Sequence, residues 1–198
     1  MDNRDTNMPQ HKNLPRDVFL QLMVVGTLYA GVISFITLWW QYINVAFPDA
    51  LYFSYISAFD RIRWASSVIL VVFPVFLALS WLAERDITRN PEKRDFKVRK
   101  WLIYFTLFLS AVTIIIDSIN LIYNFLGGEL TIQFFLRILV ILIVAAAVFG
   151  YYLWDLKRKG SEFSSMPRRA GIGSAAAVIL TIIAGFLIVG TPAAQRAR

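Results

Sequence analysis

The chain has 198 residues, 58% of them hydrophobic, and a mean hydropathy of +0.59; ordinary soluble domains are about 45–50% apolar, which excludes that class at the outset. Its formal charge of +7 comes from basic residues gathered between apolar segments, a membrane-orientation pattern, so nucleic acid is not an expected partner. The absence of cysteine excludes disulfides, thiolate zinc and iron–sulfur clusters, and the only histidine, His11, lies in a polar stretch, away from any place for an intramembrane haem or hydrolase triad; no cofactor or metal is expected.

Residues 1–16 are polar, with Pro9 and Pro15, and read as a disordered cytoplasmic tail. Asp17 is placed to cap a first membrane helix over residues 17–42, which ends in Trp39, Trp40 and Tyr42, an interfacial signature. Thr27, Ser34 and Gln41 form a sparse polar line along it. Residues 44–60 read as a loop lying on the membrane surface, with Tyr52, Phe53, Tyr55 and Phe59. A second helix over residues 62–83 is expected to start at an Asp60 cap and to bend at Pro74. The outer arginines Arg61 and Arg63 would meet phosphates or Glu129.

Residues 84–100 carry seven Lys and Arg. The third helix, residues 101–126, is the most informative segment. Thr106, Ser110, Thr113, Asp117, Asn120 and Asn124 follow one another at spacings of 4, 3, 4, 3 and 4, which puts all six within an arc of roughly 80°. A carboxylate and two carboxamides on one membrane face must turn from lipid, so this stripe is expected to face the interior of a compact four-helix bundle. Gly127-Gly128 makes a tight turn into a fourth helix, residues 130–154. Arg137 in that helix lies 9 residues beyond Gly128 and Asp117 lies 11 before it, so the two fall at similar depth. One reading pairs them as a salt bridge that fixes the hairpin; the other makes Asp117 a proton or ion site with Arg137 as its modulating charge.

A basic cytoplasmic loop, residues 157–169, leads to a fifth helix over residues 170–190. There Gly173, Ala177, Thr181 and Gly185 recur every four residues, a small-residue face suited to close helix contact. With five spans, 15 of the 20 Lys and Arg fall on the N-terminal side and 4 on the other. This bias predicts a multi-pass protein of the cell (inner) membrane with its N-terminus in the cytoplasm and a short extracytoplasmic tail, residues 191–198.

Several stretches carry a resemblance: Pro15-Arg16-Asp17-Val18-Phe19, Phe47-Pro48-Asp49, Ile62-Arg63-Trp64-Ala65, Pro91-Glu92-Lys93-Arg94, Arg99-Lys100-Trp101-Leu102, Gly127-Gly128-Glu129-Leu130-Thr131 and Tyr151-Tyr152-Leu153-Trp154-Asp155. Over roughly residues 15–156 they resemble an uncharacterised bacterial multi-pass membrane family, a domain of unknown function. That resemblance implies membrane topology and no activity. The stretch from Gly185 to Ala193 resembles the point where longer relatives pass into a small soluble domain.

The expected fold is all-α. The expected role is a non-catalytic anchoring or assembly module in the lipid bilayer, with a homo-oligomer or membrane partner held through the fifth helix. A small channel or ion-linked carrier using Asp117 is the alternative. An enzyme acting on lipid is a third possibility, for which Asp49, Asp60 and Glu129 match no spacing of known chemistry.

Overall fold

A computed structural model of the chain describes residues 14–48, 55–89, 97–128, 131–157, 173 and 178–183. It is all-α, with four long helices: α1 (Leu14–Ala46), α2 (Tyr55–Arg89), α3 (Lys97–Leu126) and α4 (Ile132–Lys157). All four are long and apolar enough to cross a membrane. Residues 173 and 178–183 are helical too, but the remainder of the expected fifth span lies outside the described residues. So do residues 1–13 of the N-terminal tail, most of the basic loop 157–169 and the C-terminal tail, while residues 14–16, expected to be disordered, open α1.

The helices overrun the expected spans, because apolarity marks where lipid ends and not where backbone hydrogen bonding ends. α1 begins at Leu14 with Pro15 in its first turn, where a missing N–H costs nothing. Asp17 is therefore a first-turn residue facing the positive helix end, not the cap. α2 takes in part of the expected surface loop, so Asp60 sits inside the helix and meets Arg63 one turn on at 3.8 Å, both side chains exposed. The helix runs unbroken through Pro74. The α3–α4 turn is fixed by Gly128, whose φ of +70° suits a residue without Cβ; Gly127 N–H donates to the Tyr123 carbonyl at 3.0 Å. Thr131 then caps α4, its hydroxyl accepting from Phe134 N–H at 3.2 Å.

Exposed aromatic residues ring both ends. On α2, Trp64 and Trp81 are 74% and 62% exposed and stand about 26 Å apart at 1.5 Å per residue; on α3, Trp101 and Tyr123 stand about 33 Å apart. Aliphatic side chains such as Leu70, Val71, Ile115 and Ile116 are exposed between them. The separation matches a hydrocarbon slab of about 30 Å.

The helices do not close into a compact bundle, which corrects the expectation. α1 is central: α2 packs along it, and the α3–α4 hairpin packs on it separately. Among the described residues, α2 approaches neither α3 nor α4. Two cores follow. One joins Leu38 and Tyr42 of α1 to Ala65 and Ile69 of α2, with Val178 and Ile182 packed against them. The other joins Ile103 and Leu107 of α3 to Tyr152 of α4, with Leu28 of α1 alongside.

Candidate functional site

α3 buries Leu102, Ile103, Thr106, Leu107, Ser110 and Asp117, so the polar stripe faces inward as far as Asp117. Beyond it Asn120 is exposed and Asn124 half-buried. The reason is angular. The buried positions centre roughly 30° toward the Ser110 edge of the stripe, and Asn120 lies on the opposite edge. The hydroxyls turn mostly to their own helix: Thr106 donates to the Leu102 carbonyl at 2.9 Å, Ser110 to Thr106 at 2.9 Å and Thr113 to Leu109 at 2.9 Å. Asn124 likewise donates to the Asn120 carbonyl at 2.9 Å. From α1, Tyr29 supplies the interhelical bond, its hydroxyl donating to Thr106 Oγ1 at 3.0 Å. The Thr27–Ser34–Gln41 line does not meet the stripe. Thr27 bonds the Met23 and Val24 carbonyls of its own helix, and Gln41 turns to another cluster.

That cluster sits at the hairpin end, where α1 finishes and α4 starts. Asn44 is its hub. Its Oδ1 accepts from Gln133 Nε2 at 3.0 Å and from the Arg137 guanidinium, and its Nδ2 donates to Gln41 Oε1 at 3.4 Å. Sequence periodicity on each helix held the signal: Gln41 and Asn44 are three apart, Gln133 and Arg137 four apart, and each pair shares a helix face. Neither Asn44, assigned to a loop, nor Gln133 stands out from the sequence.

The expected Asp117–Arg137 salt bridge is not formed. Arg137 gives its guanidinium to Asn44, while Asp117 Oδ2 and Arg137 Nε are both buried without a hydrogen-bond partner. Side chains lean toward the N-terminus of their helix. On α4 this carries Arg137 toward the hairpin end, where the Asn44 amide oxygen takes its guanidinium. Asp117 is itself 8% exposed. A charge pair does form at the opposite end, unanticipated from the sequence: Arg99 of α3 holds Asp155 of α4 at 2.7 Å, the two side chains 14% and 13% exposed. The basic residues of that end, read as loop residues, lie partly on helices, and Arg16 of α1 reaches Asp86 of α2 at 3.6 Å.

On the small-residue face, Thr181 is buried and its neighbours Val178 and Ile182 pack on the α1–α2 core, so this part of the face is covered within the chain. Among the described residues, nothing stands within 4 Å of where a side chain at Gly173 would be. Ala177 and Gly185 lie outside the described residues, as does Glu129, the proposed partner of the outer arginines.

Four apolar helices of membrane-crossing length, ringed by aromatics at both ends and joined inside by polar side chains, define the architecture of an all-α membrane-embedded protein. The chain belongs to the family described as Domain of unknown function (DUF5671), whose model matches residues 17–152. No curated protein and no solved structure matches it.

Proposed function

We propose that the chain is a non-catalytic integral-membrane module that anchors in the bilayer and assembles with other membrane segments. The carrying observation is where its intramembrane polar groups go. Tyr29 with Thr106, Asn44 with Gln133 and Arg137, and Arg99 with Asp155 each tie one helix to another, which is the use polar side chains serve as glue in lipid. The Lys and Arg bias supports five spans in a bacterial inner membrane with a cytoplasmic N-terminus, and the side of Gly173 that the described residues leave clear supports a partner, a second copy or another membrane helix, at the fifth helix. Photo-crosslinking in native membranes from a probe at Gly173, with lipid-facing Ile116 as control, tests this. A discrete protein adduct from Gly173 alone is expected; lipid adducts only, from both positions, would overturn the reading.

A second reading, a proton- or ion-linked carrier, draws on one observation: the buried, unmatched Oδ2 of Asp117. Flux in proteoliposomes that vanishes with Asp117→Asn would support it. Equal flux in parent and variant, or none in either, would sink it.

A further inference from the structure

The basic end of α2 has three faces. One borders a cleft shared with α1 and the α3–α4 hairpin, lined by Gln21 of α1, Ser80 and Glu84 of α2, Arg99 of α3 and Asp155 of α4. Another meets α1, where Arg16 reaches Asp86 at 3.6 Å. Arg85 stands between Glu84 and Asp86 in sequence, about 100° from each around the helix, so it lies on neither of those faces. Trp81 and Arg89, one turn before it and one turn after, share the third face, and all three residues are exposed. Among the described residues only α1 packs along α2, so this third face looks onto lipid.

Arginines at a membrane surface ordinarily extend toward water. Arg85 instead folds back one turn over the Trp81 ring, its guanidinium carbon 5.2 Å from the ring centroid. Its charge is thereby held at the level of the aromatic ring, where headgroups meet hydrocarbon. A cation–π contact uses no N–H donor, and neither Arg85 nor Arg89 has a carboxylate partner among the described residues. The acids beside them are engaged elsewhere: Asp86 by Arg16, and Glu84 by a partner of its own. Over residues 14–17, 84–89, 97–100 and 155–157, which make up this end, seven Lys and Arg stand against four Asp and Glu. The excess is positive, and Arg85 and Arg89 display it toward lipid. Their backbone positions are about 6 Å apart along the helix, close enough for both guanidiniums to reach one phosphate.

We propose that Trp81, Arg85 and Arg89 form a binding site for an anionic phospholipid. The two guanidiniums take its phosphodiester, and Trp81 with the exposed Leu82 lies against the glycerol backbone and the first acyl carbons. A zwitterionic lipid brings an ammonium along with its phosphate. On this face that ammonium meets two unpaired cations and, among the described residues, no carboxylate without a partner, so the anionic lipid is selected.

The test is native mass spectrometry of the delipidated full chain in detergent, titrated with phosphatidylglycerol, phosphatidylethanolamine and phosphatidylcholine. Phosphatidylglycerol is expected to bind about tenfold more tightly than the other two. Arg85→Gln and Arg89→Gln should each weaken it about fivefold, the scale of one arginine at an anionic surface. Trp81→Leu, which stays apolar but frees the Arg85 guanidinium, should cost about two- to threefold. Lys157→Gln removes the same charge from the end of α4 and should leave binding unchanged. Equal retention of the three lipids would overturn the proposal. So would a loss in Lys157→Gln as large as in Arg85→Gln, which would mean diffuse attraction and no site. Glycerol 1-phosphate is the soluble arm: binding as tight as the lipid's would overturn the lipid assignment.

Discussion

The two ends of the α3–α4 hairpin carry the same pair of charges in the same register, and only one pair closes. Asp117 lies 18 residues beyond Arg99, and Asp155 lies 18 beyond Arg137. Eighteen residues make five full turns, so Arg99 and Asp117 share one face of α3 while Arg137 and Asp155 share one face of α4. Register and rotation therefore treat both pairs alike, and so does the lean of side chains along each helix. The difference is what α1 offers. Near the hairpin end it presents Asn44, whose amide oxygen takes the Arg137 guanidinium. At the basic end its nearest polar residue in the cleft is Gln21, which makes no such bond, and Arg99 closes on Asp155 at 2.7 Å. Which charges pair in this protein is decided by α1, not by the two helices that carry them.

The largest effect is expected from breaking the closed pair. Arg99→Ala leaves the 13%-exposed Asp155 carboxylate without its partner and should cost about 2–3 kcal/mol, the scale of a partly buried pair robbed of one member. Unfolding in SDS mixed micelles measures it. Next comes the hub. Asn44→Leu strips Gln133 and Arg137 of their shared acceptor at once and should cost about 1–2 kcal/mol in the same assay. Asn44→Asp sharpens the comparison by giving the hairpin end a carboxylate at the position Arg137 already reaches; a gain of about 1 kcal/mol is expected. A loss comparable to that of Asn44→Leu would show that the amide's donation to Gln41 matters more than its acceptance from Arg137.

These particulars also show what can be read from the chain without coordinates. Composition and span lengths gave the four long helices, and Gly127-Gly128 gave the hairpin, because lipid imposes its demand on every residue of a span and glycine takes the positive φ found at Gly128 without strain. The stripe on α3 was legible as far as Asp117 for the same reason: a helix repeats regularly and its polar face must be hidden. Helix ends were not, since Asn44, Asp60 and Glu84 look like loop residues until the helix is seen to continue past the apolar core. Tyr29 meeting Thr106, and Asn44 intercepting Arg137, depend on the rotation and tilt of one helix against another, which no periodicity within a single helix records. The Arg99–Asp155 pair was reachable by symmetry about Gly128, the argument that placed Asp117 near Arg137. It was hidden because charges beside a basic loop are first read as topology.

Asp117→Asn is the smallest effect and tests the comparison most directly. If the open pair were a salt bridge as the other is, removing its charge would cost as much as Arg99→Ala. As observed, Asp117 Oδ2 has no partner to lose, and Arg137 keeps Asn44. A buried polar oxygen without a hydrogen bond costs stability and returns none, and an amide of the same shape adds a donor that can reach the carbonyl one turn back, as Asn124 does to Asn120. The expected change is therefore between zero and about 1 kcal/mol of stabilisation, with the Arg99→Ala loss undiminished in the double variant, because sites this far apart add. A loss of about 2 kcal/mol or more from Asp117→Asn alone would mean that the carboxylate finds Arg137 in the membrane after all, and that both ends of the hairpin close in the same way.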